Sequence, residues 1–302
     1  MCYAGFSAVT AGVSSHFSGF ARDRYGNSRP GNSSVASIFT TGAQSIVNHL
    51  SGNLYSFIPA ITASGTFSTF IKYESFPIMS SPLSLIVLTG FVSASASLVS
   101  ISSTVVLAGS SLSFRISSRD SFGNFRTLSD ASFDVKATSS FVLSDARRST
   151  SGGVYSFELS MTVASSYQLS ITLDGSPVAS SPYSVRVDPR VAEMSCCVLI
   201  GNRFGAATAG KAIDFVIQVN NLYSNRITLA TADNVLLFIV QVASSKVSFS
   251  AGRPSRSAEA LYEGRFVTTI SATYSVSISY RGQHISNSPF SVDSWRAFPF
   301  GL

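Results

Sequence analysis

Asp120-Ser121-Phe122-Gly123-Asn124 has a counterpart about a hundred residues to either side, as Asp23-Arg24-Tyr25-Gly26-Asn27 and as Asn221-Leu222-Tyr223-Ser224-Asn225. Outward from this turn the same landmarks recur in the same order. Ala-Gly precedes it, at Ala11-Gly12, Ala108-Gly109 and Ala209-Gly210. A tyrosine follows, at Tyr55, Tyr155 and Tyr262, and an aromatic stands twelve residues later, at Phe67, Tyr167 and Tyr274. Each copy closes on Ser-Pro and a large apolar residue: Ser81-Pro82-Leu83, Ser181-Pro182-Tyr183 and Ser288-Pro289-Phe290. An internal period decides the architecture first, and this one predicts tandem domains over residues 1–90, 91–189 and 190–293, with a tail at 294–302. It argues against an enzyme built around one central site.

The second copy shows what each unit is made of. Leu112-Ser113-Phe114-Arg115-Ile116-Ser117 alternates apolar and polar, the period of a strand with one buried face. Asp120 to Asn124 then turns the chain: Asp bonds the backbone two residues on, and Gly123 tolerates a positive φ. Phe133, Val135 and Ala137 alternate again, and Val154 to Val163 follows a Gly152-Gly153 turn. Tyr167, Leu169, Ile171 and Leu173 form the next strand, and Pro182 opens the last, where its missing N–H costs least. Short alternating strands without a helical period predict an all-β fold, an immunoglobulin-like β-sandwich per copy. The Cys…Trp…Cys pattern of antibody domains is absent, since the single Trp295 lies beyond the third copy's Ser-Pro.

Two copies depart from the pattern. Ser224 replaces the turn glycine of the third copy, and a left-handed conformation costs a non-glycine residue about 1–2 kcal/mol. The expectation is that the turn changes type there or passes the strain to Asn225. In the first copy only ten residues precede Ala11, so its initial strand is expected to be clipped, with an exposed sheet edge, in a piece of a longer protein.

Composition narrows the class. Charged residues make up 12% of the 302 residues, against about 25% in ordinary globular chains, and serine fills the gap. The net charge of +6 is scattered, its largest groupings being Arg22/Arg24/Arg29 and Arg147-Arg148, which speaks against a nucleic-acid reader. Cys2, Cys196 and Cys197 make no disulfide framework; the adjacent pair, on a presumed strand, faces opposite ways, one buried and one at the surface. Leu83 to Leu107 tempts a hydropathy window, but the repeat register reads it as the end of one unit, a joint and the start of the next, with no membrane span in this chain. Asn32-Ser33-Ser34 is an acceptor sequence for N-glycosylation, Asn32 being its candidate site.

Gly153-Val154-Tyr155-Ser156-Phe157 and Ser181-Pro182-Tyr183-Ser184-Val185, with the Ala-Gly and Asp-x-aromatic-Gly-Asn landmarks, resemble the filamin-type immunoglobulin repeat. The resemblance covers residues 1 to about 293 and is tightest in the second copy. It implies tandem sandwiches strung like beads, serving as spacer and docking module, with partner peptides added as a strand beside one sheet edge. Carried over, that edge is Ser132, Phe133, Asp134, Val135 and Lys136, facing Phe141, Val142 and Leu143. In the third copy it is Leu236, Leu237, Phe238, Ile239 and Val240, facing Val247 and Phe249. Calponin-homology domains are absent from this chain, so actin binding is not carried over.

No catalytic constellation emerges. His16, His49 and His284 stand apart from any Cys or carboxylate at ligand spacing, and Asp23, Asp120 and Asp130 fall short of a calcium site. Phosphate-cradling loops, nucleophile elbows and Cys-x-x-Cys are missing, and no cofactor is implied. Two classes stay open: a surface or adhesion array, favoured by low charge and abundant Ser/Thr, and an intracellular scaffold, favoured by unpaired cysteines. Either would bind protein partners.

Overall fold

The computed structural model describes residues 8–14, 16–29, 36–41, 44–137, 147–201, 204–227, 237–251, 254–258 and 260–296. The first copy supplies β1 (Val9–Thr10), β2 (Phe17–Phe20), β3 (Ala36–Thr40), β4 (Gln44–Ser51), β5 (Leu54–Ala60), β6 (Gly65–Tyr73), β7 (Phe76–Pro77) and β8 (Leu83–Leu88). The second supplies β9 (Leu98–Ile101), β10 (Val105–Leu107), β11 (Ser111–Ser117), β12 (Phe133–Ala137), β13 (Arg147–Ser151), β14 (Val154–Ser160), β15 (Ser165–Leu173), β16 (Ser176–Pro177) and β17 (Tyr183–Asp188). The third supplies β18 (Val198–Ile200), β19 (Ala207–Thr208), β20 (Ala212–Gln218), β21 (Ile239–Ala243), β22 (Ser248–Ser250), β23 (Ser255–Ala258), β24 (Leu261–Val267), β25 (Ala272–Tyr280), β26 (Gln283–His284) and β27 (Phe290–Trp295).

These strands form two sheets per copy. In the first, the sheets run β1-β8-β6-β3 and β2-β5-β4; in the second, β10-β17-β15-β12 and β13-β14-β11-β9; in the third, β19-β27-β25-β21-β22 and β18-β20-β24-β23. The short strand before each Ala-Gly runs parallel to the last strand of its copy, pairing Val9 with Val87, Val106 with Val187 and Ala207 with Ser294. The fold is that of tandem immunoglobulin-like sandwiches. Among the described residues nothing lies beside β2 opposite β5, whereas β9 adds to β11 and β18 to β20.

Contact density divides the chain into two compact units, residues 1–102, 113–158 and 168–183, and residues 103–112, 159–167 and 184–302. In the first, β8 alternates buried and exposed residue by residue, as its Leu-Ser-Leu-Ile-Val-Leu sequence dictates. Tyr55, Phe57 and Ile71 form one core cluster, Ile61, Leu85 and Val87 another. The Phe114 and Phe157 rings stack 4.9 Å apart, and Phe133 meets Tyr155 edge-on at 4.9 Å. Each such fully buried ring stabilises by about 1.5–3 kcal/mol. In the second unit, Phe215, Phe238, Tyr262 and Tyr274 anchor the core. There Gly264 lies under the Phe215 ring, which a Cβ would meet at 2.1 Å.

The closing Ser-Pro has a local cause. Ser81, Ser181 and Ser288 each present Oγ to the backbone N–H of a core strand, accepting from Ile71 at 3.0 Å, Ile171 at 2.9 Å and Ile278 at 2.9 Å. All three Ser-Pro bonds are cis. The second-copy strands expected from alternation are present, and the Leu83–Leu107 stretch resolves into β8, β9 and β10. Among the described residues no helix is long and apolar enough to cross a membrane.

Two expectations need correction. Cys196 and Cys197 are not strand neighbours: Cys196 ends a 3-10 turn, Met194–Cys196, and Cys197 follows it. Cys197 is fully buried, and burial pushes its thiol up to about 11, while Cys196 is partly exposed. At the third turn neither expected escape occurs, because Ser224 itself adopts φ 62°. The side chain and backbone of Asn221 bind the turn as tightly as aspartate does in the other copies, so the serine bears the strain.

Candidate docking surfaces

The recurring turn is built by one side chain. Asp23 Oδ1 accepts from Tyr25 N at 2.8 Å and Asn27 N at 2.9 Å. Asp120 Oδ1 accepts from Phe122 N at 3.0 Å and Asn124 N at 2.9 Å, and Asn221 Oδ1 from Tyr223 N and Asn225 N at 2.9 Å each. The backbone closes each turn with matching bonds, Asp23 N to Asn27 O at 3.0 Å, Asp120 N to Asn124 O at 3.0 Å and Asn221 N to Asn225 O at 2.9 Å. Asx residues favour such turns because the side chain replaces a backbone acceptor two residues back.

The last residue of the turn reaches beyond its own copy. Within the first unit, Asn124 Nδ2 donates to Thr62 O at 2.7 Å and to Asp120 Oδ2 at 2.8 Å, while its Oδ1 accepts from Ser64 N at 2.9 Å. Within the second, Asn225 Nδ2 donates to Thr162 O at 2.6 Å and Asn221 Oδ1 at 3.2 Å, and its Oδ1 accepts from Ala164 N at 2.8 Å. Only an amide offers two donors and an acceptor on one planar group; aspartate could not donate. The second and third turns thus each clamp the loop after the Tyr-centred strand of the preceding copy.

The turn's aromatic seats on the Ala-Gly landmark of that preceding copy. A Cβ on Gly12 would lie 2.0 Å from the Phe122 ring, and one on Gly109 2.0 Å from Tyr223 Oη. Both glycines are left-handed, at φ 73° and 77°. Landmarks far apart in sequence are therefore two halves of one contact.

The first joint has further ties. Asp120 Oδ2 accepts from Gly90 N at 2.9 Å, and the guanidinium of Arg126 donates to Gly90 O and pairs with Asp130 at 2.7 Å. Burial works to raise the Asp120 carboxyl, but the Asn124 side chain and the backbone N–H groups of Gly90, Asn124 and Phe122 outweigh it and hold the pKa below the usual value. The third copy has Asn221 at this position, and its buried Nδ2 has no hydrogen-bond partner. In the first copy the Asn27 amide and backbone lower Asp23 in the same direction, on a turn that stands in solvent.

The strand edges carried over from the family resemblance fare differently in the two copies. Phe133 is buried, Val135 is half-buried, and Ser132, Asp134 and Lys136 are exposed. β12 pairs with β15 along one side, Phe133 opposite Leu173, and no described strand lies along its other side. Phe141, Val142 and Leu143 lie outside the described residues, as do Leu236 and Asn32. In the third copy Leu237 and Ile239 are exposed while Phe238 and Val240 are core residues. There β22 occupies the edge of β21, Val242 opposite Phe249, and Ala251 N donates to Val240 O at 2.9 Å. Val247 and Phe249 pack partly buried against the core.

Among the described residues the remaining polar groups serve a surface cleft and local turns. A cleft of about 600 Å³ is lined by Ser100, Ser102, Arg115, Arg148, Ser156 and Glu158 among others. His49 Nε2 meets Gly52 O at 3.0 Å and His284 Nδ1 meets Ser288 Oγ at 3.0 Å, so both histidines serve local turns. Among the described residues no three His, Cys, Asp or Glu side chains are grouped to hold a metal ion.

No protein-family model and no curated protein matches the chain. Among solved structures, the chain is similar to FdeC, described as a broadly conserved Escherichia coli adhesin, at 16% identity over 98% of this chain and 100% of that one, with a TM-score of 0.52. Yersinia pseudotuberculosis InvD matches at 12% identity over 95% of this chain and 92% of that one, with a TM-score of 0.47. The Lin-41 filamin domain matches at 17% identity over 35% of this chain and 98% of that one, with a TM-score of 0.30. The first likeness extends over the whole tandem array and agrees with its immunoglobulin-like fold.

In sequence the Asp-x-aromatic-Gly-Asn segment reads as a turn and as a landmark of the repeat, not as a contact between copies. The signal of the joint was present: a terminal asparagine kept in all copies, Asn27, Asn124 and Asn225, where turn formation needs only the first residue.

Proposed function

We propose that the chain is a non-catalytic array of three immunoglobulin-like domains, over residues 1–90, 91–189 and 190–293, serving as spacer and docking surface of a cell-surface or adhesion protein. The observation that carries this reading is the joint itself. Asn124 and Asn225 clamp successive copies with the same three-bond geometry, and Phe122 and Tyr223 seat on the same glycine. A flexible linker would not need such a device; a spacer that must hold its partners at a fixed separation does. Low charge, hydroxyl-rich faces and the likeness in fold to an adhesin along the whole chain support placement at the surface.

The spacer reading is tested by ¹⁵N relaxation of the full chain. Copies that share a clamped joint should tumble together, and Asn124→Ala or Asn225→Ala should uncouple the copies flanking the altered joint. Independent tumbling in the parent chain would overturn the reading. Antibody labelling of intact against permeabilised producing cells tests the location. Signal only after permeabilisation would favour the second reading, an intracellular scaffold that adds partner peptides beside β12, which among the described residues pairs along one side alone.

A further inference from the structure

The loop that receives Asn225 is itself tied from behind. Thr162 and Ala164 grip the incoming amide, and the carbonyl of Val163, between them, accepts from Tyr167 Oη at 2.7 Å. Just upstream, Met161 O accepts from Gly109 N at 2.8 Å. The gripping residues therefore alternate with two tied carbonyls, in a stretch between the end of β14 at Ser160 and the start of β15 at Ser165. A tyrosine bonded to main chain a few residues upstream recurs in immunoglobulin-like sandwiches, and the third copy has one too, Tyr274 Oη to Ile270 O at 2.9 Å.

The first joint has half of this arrangement. Its receiving loop is Thr62-Ala63-Ser64, and Gly12 N donates to Ile61 O at 2.8 Å, as Gly109 does to Met161 O in the second copy. Phe67 stands where Tyr167 does, twelve residues after the landmark tyrosine, and a phenyl ring has no hydroxyl to offer the Ala63 carbonyl. The position of the ring is kept, since Phe67 packs against the Ile61, Leu85 and Val87 cluster. Reinforcement comes from the incoming side instead, where Asp120 Oδ2 accepts from Gly90 N at 2.9 Å and the Arg126 guanidinium donates to Gly90 O.

With Asn124 and Asn225 as the clamps between copies proposed above, we infer that Tyr167 is a positioning residue of the second joint. Its hydroxyl holds Thr162 O and Ala164 N at the spacing and orientation that one amide can satisfy together. A loop tied at both points has little freedom left to lose when the turn docks. A loop tied at one point must be ordered by the clamp itself, at a cost in joint strength. The residue at this position, tyrosine or phenylalanine, thus sets how stiff the receiving side of a joint is.

The test is a double-mutant cycle in the full chain, read as the rate of limited proteolysis near residue 190. Tyr167→Phe should speed cleavage there by about 2- to 12-fold, the factor that one hydrogen bond represents. In an Asn225→Ala background, where the clamp is already lost, the same substitution should add nothing. Unchanged cleavage in Tyr167→Phe would overturn the inference, and so would an equal acceleration in both backgrounds, the mark of a merely structural tyrosine. If Asn225→Ala itself leaves cleavage unchanged, the clamp reading fails and the inference with it. Phe67→Tyr is the reciprocal variant, and it carries the test should Tyr167→Phe not fold. It should slow cleavage near residue 90 by a similar factor, and only while Asn124 is present; no slowing would overturn the inference.

Discussion

The ring of Phe122 lies where a side chain on Gly12 would have to go, 2.0 Å from the Cβ position. The pair explains why two short landmarks a domain apart recur together. Left-handed φ and close approach are separate demands, and at this position both fall on one residue.

Loss of the amide should loosen a joint and leave the sandwiches folded. Asn124→Ala removes the bonds to Thr62 O and Ser64 N, each contributing about 0.5–1.5 kcal/mol. Limited proteolysis is expected to cut faster near residue 90 in this variant, and near 190 in Asn225→Ala, with the near-parent tyrosine fluorescence of folded sandwiches. Unchanged cleavage rates would show that the clamp contributes nothing.

Acid should weaken the first joint through Asp120. Its folded pKa is lowered, so its contribution is fully present above the unfolded value of about 3.9 and disappears as pH falls through the folded one. Urea midpoints are expected to drop below about pH 4, with a smaller drop for Asp120→Asn. Asparagine retains the turn, as Asn221 demonstrates. An identical acid profile in both chains would remove Asp120 from the account.

The third turn can be improved. Ser224→Gly relieves a left-handed serine, and after the extra freedom of the unfolded glycine the gain is about 0.5–1 kcal/mol. Asn221→Asp replaces an unpartnered buried Nδ2 with an acceptor for the Asn225 amide, worth about 1 kcal/mol near neutral pH. Both are read as a higher denaturant midpoint. A lower midpoint for Ser224→Gly would mean that the serine hydroxyl has a role the turn geometry does not account for.

The register of β12 has a direct check. Phe133 is buried against Tyr155, so Phe133→Asp should destabilise its sandwich by several kcal/mol, while Asp134→Ala, one residue on and exposed, should be near neutral. Equal melting of the two variants would mean a strand shifted by one residue.

Alternation made the strands of the second copy legible, because Leu112, Phe114 and Ile116 point one way and serine or arginine the other. β13 was not legible: its Arg-Arg-Ser-Thr-Ser sequence reads as a charged loop, and only pairing with β14 makes it a strand. The segment around Phe249 was legible as facing the third-copy edge, but not its direct pairing with β21 as β22, since three residues carry no period. The joints were legible as residues and not as contacts. Asn124 looks like a second turn former until Thr62 is brought beside it, and no local rule links positions some sixty residues apart.

On the receiving side, each joint grips main chain alone: Thr62 O and Ser64 N at one, Thr162 O and Ala164 N at the other. The change from Ser64 to Ala164 is invisible to the incoming amide. At both joints the turn meets the same receiving groups, a left-handed glycine and the main chain of this loop. Gain or loss of one period by recombination therefore regenerates a working joint at once, and lineages can lengthen or shorten such an array without selecting new contacts.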